Sequence, residues 1–187
     1  MNSTALISTL TILLYLMVLL AGAIGFRSAP VAHVSGCLPT RDGYLRARMR
    51  GASDVDIDWQ DADMQCDGGL RPEERGVRVT FLGRLPQDGQ QIRLVFGIAT
   101  AADAVTARNV PANVTVIFEG EQKLYSSAGE GKCTIDELSL QPKAEAGNSW
   151  RRVVARGFCT VPVTTLAGND ALELDRFDFA GGLRNED

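Results

Sequence analysis

The chain has 187 residues with 19 basic and 23 acidic side chains, a net charge of −4, one histidine and four cysteines. A single histidine rules out metal catalysis through two or three imidazoles, and no basic tract or aromatic-basic interleaving offers a footing for nucleic acid. The length is enough for one domain with a sizeable core besides a targeting segment.

Ala5–Phe26 is a run of about 22 residues without a charge. As an α-helix it would cover about 30 Å, the hydrocarbon thickness of a bilayer. Ala21-Gly22-Ala23 has the small-x-small form of a signal cleavage site. No Lys or Arg precedes the run, however, and it exceeds the usual signal core of about 7–15 residues. Length therefore favours an uncleaved anchor over a cleaved signal. The expected organisation is a membrane anchor or signal segment at 1–26, a linker at 27–42 broken by Pro30, Gly36 and Pro39, and one folded domain at 43–187.

Two opposed signals bear on orientation. Arg27, Arg41, Arg46, Arg48 and Arg50 follow the apolar run, and by the positive-inside rule they would hold the domain in the cytoplasm. Cys37, Cys66, Cys133 and Cys159 form an even, widely spaced set without C-x-x-C, the pattern of two structural disulfides in an oxidising compartment. Neighbours in sequence are expected to pair, Cys37 with Cys66 and Cys133 with Cys159. The cysteines place the domain on the extracytoplasmic side, periplasmic or extracellular. Val34-Ser35-Gly36-Cys37 also resembles the lipobox of bacterial lipoproteins, which implies a lipidated Cys37, although Arg27, Pro30 and His33 separate it from the apolar core.

YLRARMR-GAS-DVDIDW alternates strictly on both sides of Gly51–Ser53, the period of half-buried strands. Folded about that turn, Arg50, Arg48 and Arg46 face Asp54, Asp56 and Asp58 on one side. Met49, Ala47 and Leu45 face Val55, Ile57 and Trp59 on the other. A slip of one residue would ruin both faces together. Asp61, Asp63 and Asp67 then continue the acidic stretch as a loop closed by Gly68-Gly69.

Gly76–Leu85 and Gln90–Ala99 flank Pro86-Gln87-Asp88-Gly89, residues suited to a tight turn. The register sets Val77, Val79 and Phe81 opposite Ile98, Phe96 and Leu94. The Ala-rich stretch Thr100–Arg108 is expected as a short helix capped by Thr100 and Asp103. Asn113–Glu119 and Gln122–Ser127 read as a third hairpin about Gly120-Glu121, and Ser126–Lys132 as a polar loop. Ser149–Val161 and Ala171–Ala180 read as long strands about Gly168-Asn169-Asp170. Leu172 and Leu174 are out of phase with Phe177 and Phe179, so a bulge is expected near Asp175. The fold class is all-β, an antiparallel β-sandwich or squat barrel of about eight strands preceded by an N-terminal transmembrane or signal helix.

The chemistry is sparse. His33 lies in the linker, away from any partner a nucleophile system would need. No G-x-S-x-G, P-loop or dinucleotide glycine pattern occurs. Asp54-x-Asp56-x-Asp58 has the opening spacing of a calcium loop, but Trp59 stands where that loop needs Gly and Gln65 where it needs Glu. With the first three carboxylates used in the ladder, Asp61, Asp63 and Asp67 remain as candidate cation ligands. Asn2 and Asn113 head sequons that matter only in a eukaryotic secretory pathway. The sequence thus points to a non-enzymatic module without a cofactor, anchored through residues 5–26 and working by contact with a protein partner in the cell envelope. The readings from other classes are a secreted small-ligand or calcium-binding domain and a hydrolase using paired carboxylates.

Overall fold

The computed structural model describes residues 37–71, 76–101, 104–121, 123–127, 131–142, 150–167 and 169–184. The apolar run Ala5–Phe26 lies outside them, and among the described residues no helix is long and apolar enough to cross a membrane. Gln122 and Asp103 also lie outside them.

The chain opens with β1 (Tyr44–Gly51) and β2 (Val55–Gln60), a single 3-10 turn (Asp61–Asp63), β3 (Met64–Leu70), β4 (Val77–Arg84) and β5 (Gln91–Ile98). It continues with β6 (Thr106–Phe118), β7 (Lys123–Ser126), β8 (Cys133–Pro142), β9 (Trp150–Cys159), β10 (Val163–Thr165) and β11 (Ala171–Arg184). All eleven belong to one sheet in which every pairing is antiparallel.

The first two hairpins hold their expected registers. Leu45 faces Trp59 and Met49 faces Val55 across β1–β2, while Val79 faces Phe96 across β4–β5. In each, alternation puts one apolar set inward, and that single constraint fixes the pairing. The bulge at Asp175 is also present. Arg48 pairs with Arg176 and Met49 with Leu174, so Asp175 is left over, and both Leu174 and Phe177 turn inward.

Several expectations are corrected. Residues 64–70 are not a loop but strand β3, paired along its whole length with β4; its inward positions Met64 and Gly68 are small or flexible enough to pass unnoticed beside the acidic residues. Thr106–Arg108 is the start of β6, not helix, because its main chain pairs with Glu137–Ser139 of β8. The third hairpin closes with Phe118 opposite Lys123, so its connection is longer than Gly120-Glu121.

The middle of the sheet is split. β9 and β10 follow one another along the edge of β11 away from β1, and β8 and β7 share one edge of β6. Where β7 gives way to β8, Ser127 stands in for a strand. Its N–H donates to the Val114 carbonyl at 2.9 Å, and its hydroxyl accepts the Val114 N–H at 3.0 Å. The Cys133–Cys159 disulfide joins directly opposed residues of β8 and β9 beside this gap.

The sheet doubles back so that its two ends share one core. Phe81 of β4 and Phe96 of β5 meet Phe179 of β11, with ring centroids 5.1 Å and 4.7 Å away. β2 and β3, at opposite ends of the strand order, are consecutive in the chain and joined by the 3-10 turn. Cys37 and Leu38 are buried as well. The segment they begin lies against β11 and β9, where a Cβ on Gly182 would sit 3.3 Å from Leu38 and 2.7 Å from the Trp150 ring. Arg152 pairs with Asp42 at 3.1 Å to hold its other end, and the Cys37–Cys66 disulfide ties it to β3.

Candidate functional site

The outward face of β2, β1, β11 and β9 carries the arginine-aspartate ladder of the opening hairpin and extends it. Arg46 Nε lies 3.1 Å from Asp58 and Arg48 Nε 3.3 Å from Asp56. Arg50 departs from the expected pairing with Asp54. The ladder ends at Met49–Val55. Arg50 turns back to Asp56 at 2.8 Å, and Asp54 instead accepts the Gly51 N–H at 3.0 Å, closing the turn.

From Arg46 the pattern crosses the sheet. Asp58, Arg46, Asp178, Arg156, Glu137 and Arg108 stand in register on β2, β1, β11, β9, β8 and β6, alternating in sign across six strands. Glu137 is shared by Arg156 at 3.0 Å and Arg108 at 3.1 Å. Asp178 accepts the Tyr44 hydroxyl at 2.9 Å and lies 4.0 Å from Arg46. Only the local half of this row was readable from the sequence. Arg156, Asp178 and Glu137 lie on strands far apart in the chain. For Asp178 the one signal is the alternation of charge and apolar residue in Arg176-Phe177-Asp178-Phe179; Arg156 and Glu137 stand in no such pattern.

An open groove of about 1130 Å³ runs over this face, with Arg48, Asp56, Arg156, Arg176 and Asp178 among its lining. Two bulges shape it. Asp175 on β11 and Asp136 on β8 are each skipped by the neighbouring ladder, and both line the groove. A bulge bends its strand and raises the local twist, which makes the face concave. A hollow of about 230 Å³ at the turn end of the sheet is bordered by Asp54, Asp88 and Glu121. Those carboxylates already serve the Gly51 N–H, the Gln90 N–H and Lys123.

The electrostatics follow from these contacts. The Arg50 guanidinium bonded to Asp56 holds that carboxyl below the usual carboxylate range, with the charges of Arg50 and Arg48 adding to the effect. Burial pushes the Tyr44 phenol up, and its hydrogen bond to Asp178 and the nearby negative charge push it further.

Asp61, Asp63 and Asp67 do not form a site together. Asp61 is 5 % exposed, and its Oδ1 accepts the N–H groups of Leu38, Cys37 and Gly43 at 2.8, 3.0 and 3.3 Å. Asp63 accepts the Gln60 N–H at 2.9 Å, and Asp67 lies 3.9 Å from Arg184 on β11. The turn between β2 and β3 uses Asp61 and Asp63 to fasten main chain. Among the described residues no three His, Cys, Asp or Glu side chains are grouped to hold a metal ion. Cys37 Sγ, the lipobox-like cysteine, is bonded to Cys66.

No protein family, no curated protein and no solved structure matches the chain.

Proposed function

We propose that the chain is a membrane-anchored, extracytoplasmic β-sandwich that acts by contact, as a non-enzymatic interaction or accessory module of a cell-envelope complex. The groove over β2, β1, β11 and β9 is its contact surface. The observation that carries this reading is the row of six alternating charges across six strands. Such a lattice fixes where a partner's charges are welcome and where they are repelled, which gives specificity and register more than raw affinity. A small apolar ligand would instead want an enclosed pocket between the layers. That space is filled by Phe81, Phe96, Phe177 and Phe179.

Two disulfides support an oxidising compartment. The uncharged run Ala5–Phe26 supports anchorage.

The test is crosslinking of the full chain in its native membrane, followed by detergent extraction and recovery. Arg156→Glu reverses a charge within the groove, whereas Arg78→Glu reverses an exposed charge on β4, remote from it. A crosslinked partner lost in Arg156→Glu and kept in Arg78→Glu is the expected result. Equal recovery from both variants overturns the groove as the contact surface. Release of the wild-type chain without detergent overturns the anchor.

A further inference from the structure

One place on the charged face breaks its own rule. Arg48 and Arg176 stand directly opposite each other on β1 and β11, and like charges at that spacing destabilise a sheet. Beside them the six-charge row alternates without a fault, so the clash is local. Arg48 is 63 % exposed and has only Asp56 at 3.3 Å, a carboxylate already bonded to Arg50 at 2.8 Å. Among the described residues no carboxylate lies within ion-pairing distance of Arg176. Two guanidinium groups thus share one carboxylate, and the third, Arg176, faces them with none.

The backbone creates this arrangement. Leu174 and Phe177 both point into the core, which requires two consecutive outward residues between them. Asp175 is the extra residue of the bulge, and Arg176 is thereby placed opposite Arg48 and into the groove. Asp175 is exposed, and among the described residues no cation lies within ion-pairing distance of it. The bulge therefore aims a cation at a cation, and both line the groove.

We infer that Arg48 and Arg176 form a receptor for an oxyanion, a phosphate or carboxylate group carried by what occupies the groove. The inference rests on the groove being the contact surface and names the chemistry it accepts. Guanidinium forks match both oxyanions, each presenting paired N–H donors to paired oxygens. An anion bridging the two arginines turns their mutual repulsion into a shared attraction and completes the alternation of the face.

The experiment compares thermal transitions of the full chain in detergent, with chloride replaced at constant ionic strength by inorganic phosphate in one arm and by succinate in the other. Wild type should melt about 3 °C higher in at least one of these anions, the size expected near tenfold excess over Kd; the anion that acts names the group. Arg176→Gln should lose that response. It should also melt higher than wild type in chloride, because the like-charge opposition is gone, a gain that general damage to the fold would not produce. Indifference of wild type to both anions, an undiminished response in Arg176→Gln, or a lower melting point of that variant in chloride overturns the receptor. If the anions have no effect but partner capture still fails in Arg156→Glu, the receptor is wrong and the contact reading stands.

Discussion

The indole N–H of Trp59 donates to the main-chain carbonyl of Arg84 at 3.0 Å, joining β2 to β4, two strands that share no ladder. The ring lies over Gly83 so closely that a Cβ there would stand 2.8 Å from three of its carbons. Trp59 is thus the clasp by which the sheet closes over its core at this corner. Trp59→Ala should cost about 3–5 kcal/mol, the range for truncating a buried aromatic, read as a fall in the urea midpoint with little change in slope. Gly83→Ala should also destabilise, because the methyl must displace the indole. A Trp59→Ala chain of wild-type stability would show that the corner is held by something else.

Asp61 does for the segment before β1 what Trp59 does for β2. One carboxylate oxygen receives three main-chain N–H groups, from Cys37, Leu38 and Gly43. Hydrogen bonds to charged groups contribute about 1.5–3 kcal/mol each, and buried donors left unpaired are costly. Asp61→Ala should therefore cost about 3 kcal/mol or more and raise amide exchange at Cys37, Leu38 and Gly43 first. Asp63→Ala, which frees only the Gln60 N–H of an exposed turn, should cost much less. Equal costs would refute the assignment of Asp61 as the fastening.

The contrast between Asp61 and the arginine ladder shows what could be read in the sequence. Hairpins β1–β2 and β4–β5 were legible because strands and turn are contiguous and a one-residue slip would expose the apolar set. The bulge at Asp175 was legible because Leu174 and Phe177 disagree in phase. β8 was not, because its own bulge at Asp136 breaks the alternation between Ile135 and Leu138. β3 was hidden because between Met64 and Leu70 it offers a cysteine and two glycines rather than alternating bulky apolar side chains. The candidate site was half visible. The β1–β2 charges could be paired by counting, but Arg156, Asp178 and Glu137 meet them only through pairings set by the closure of the whole sheet.

Tyr44 gives the charged face an alkaline signature. Its phenol is held above its ordinary value of 10.0, first by burial and then by the bond to Asp178. The folded state therefore holds this proton more tightly than the unfolded chain. The resulting stabilisation is complete below pH 10 and is lost as pH rises through the folded value. Tyr44→Phe should be less stable than wild type near pH 8, and the gap should narrow above pH 10. Urea midpoints measured for both chains between pH 8 and 11 check this. A gap that stays constant across the range would mean the phenol proton is not linked to folding.

The last prediction separates a structural role for the acidic strand from a cation site. Asp56 takes Arg50 at 2.8 Å and Arg48 at 3.3 Å while remaining exposed to solvent. Its carboxyl is held below the usual value of 3.8, chiefly by the hydrogen bond from Arg50. A depressed carboxyl contributes stability above its unfolded value, lost as pH falls through the folded value. Asp56→Asn should therefore destabilise slightly at neutral pH, as surface ion pairs contribute little, and the difference should shrink below pH 4 as the wild-type group protonates. Salt should erode the difference too, since both partners are exposed and screened. Calcium should leave the thermal transition of either chain unmoved, because the lone pairs of Asp56 face guanidinium groups and a calcium ion wants six to eight oxygens. The contrary outcome is a transition raised sharply by calcium in wild type and unmoved in Asp56→Asn. Acidic residues of β2 would then be metal ligands, and the arginines opposite them the counter-charges of an empty site.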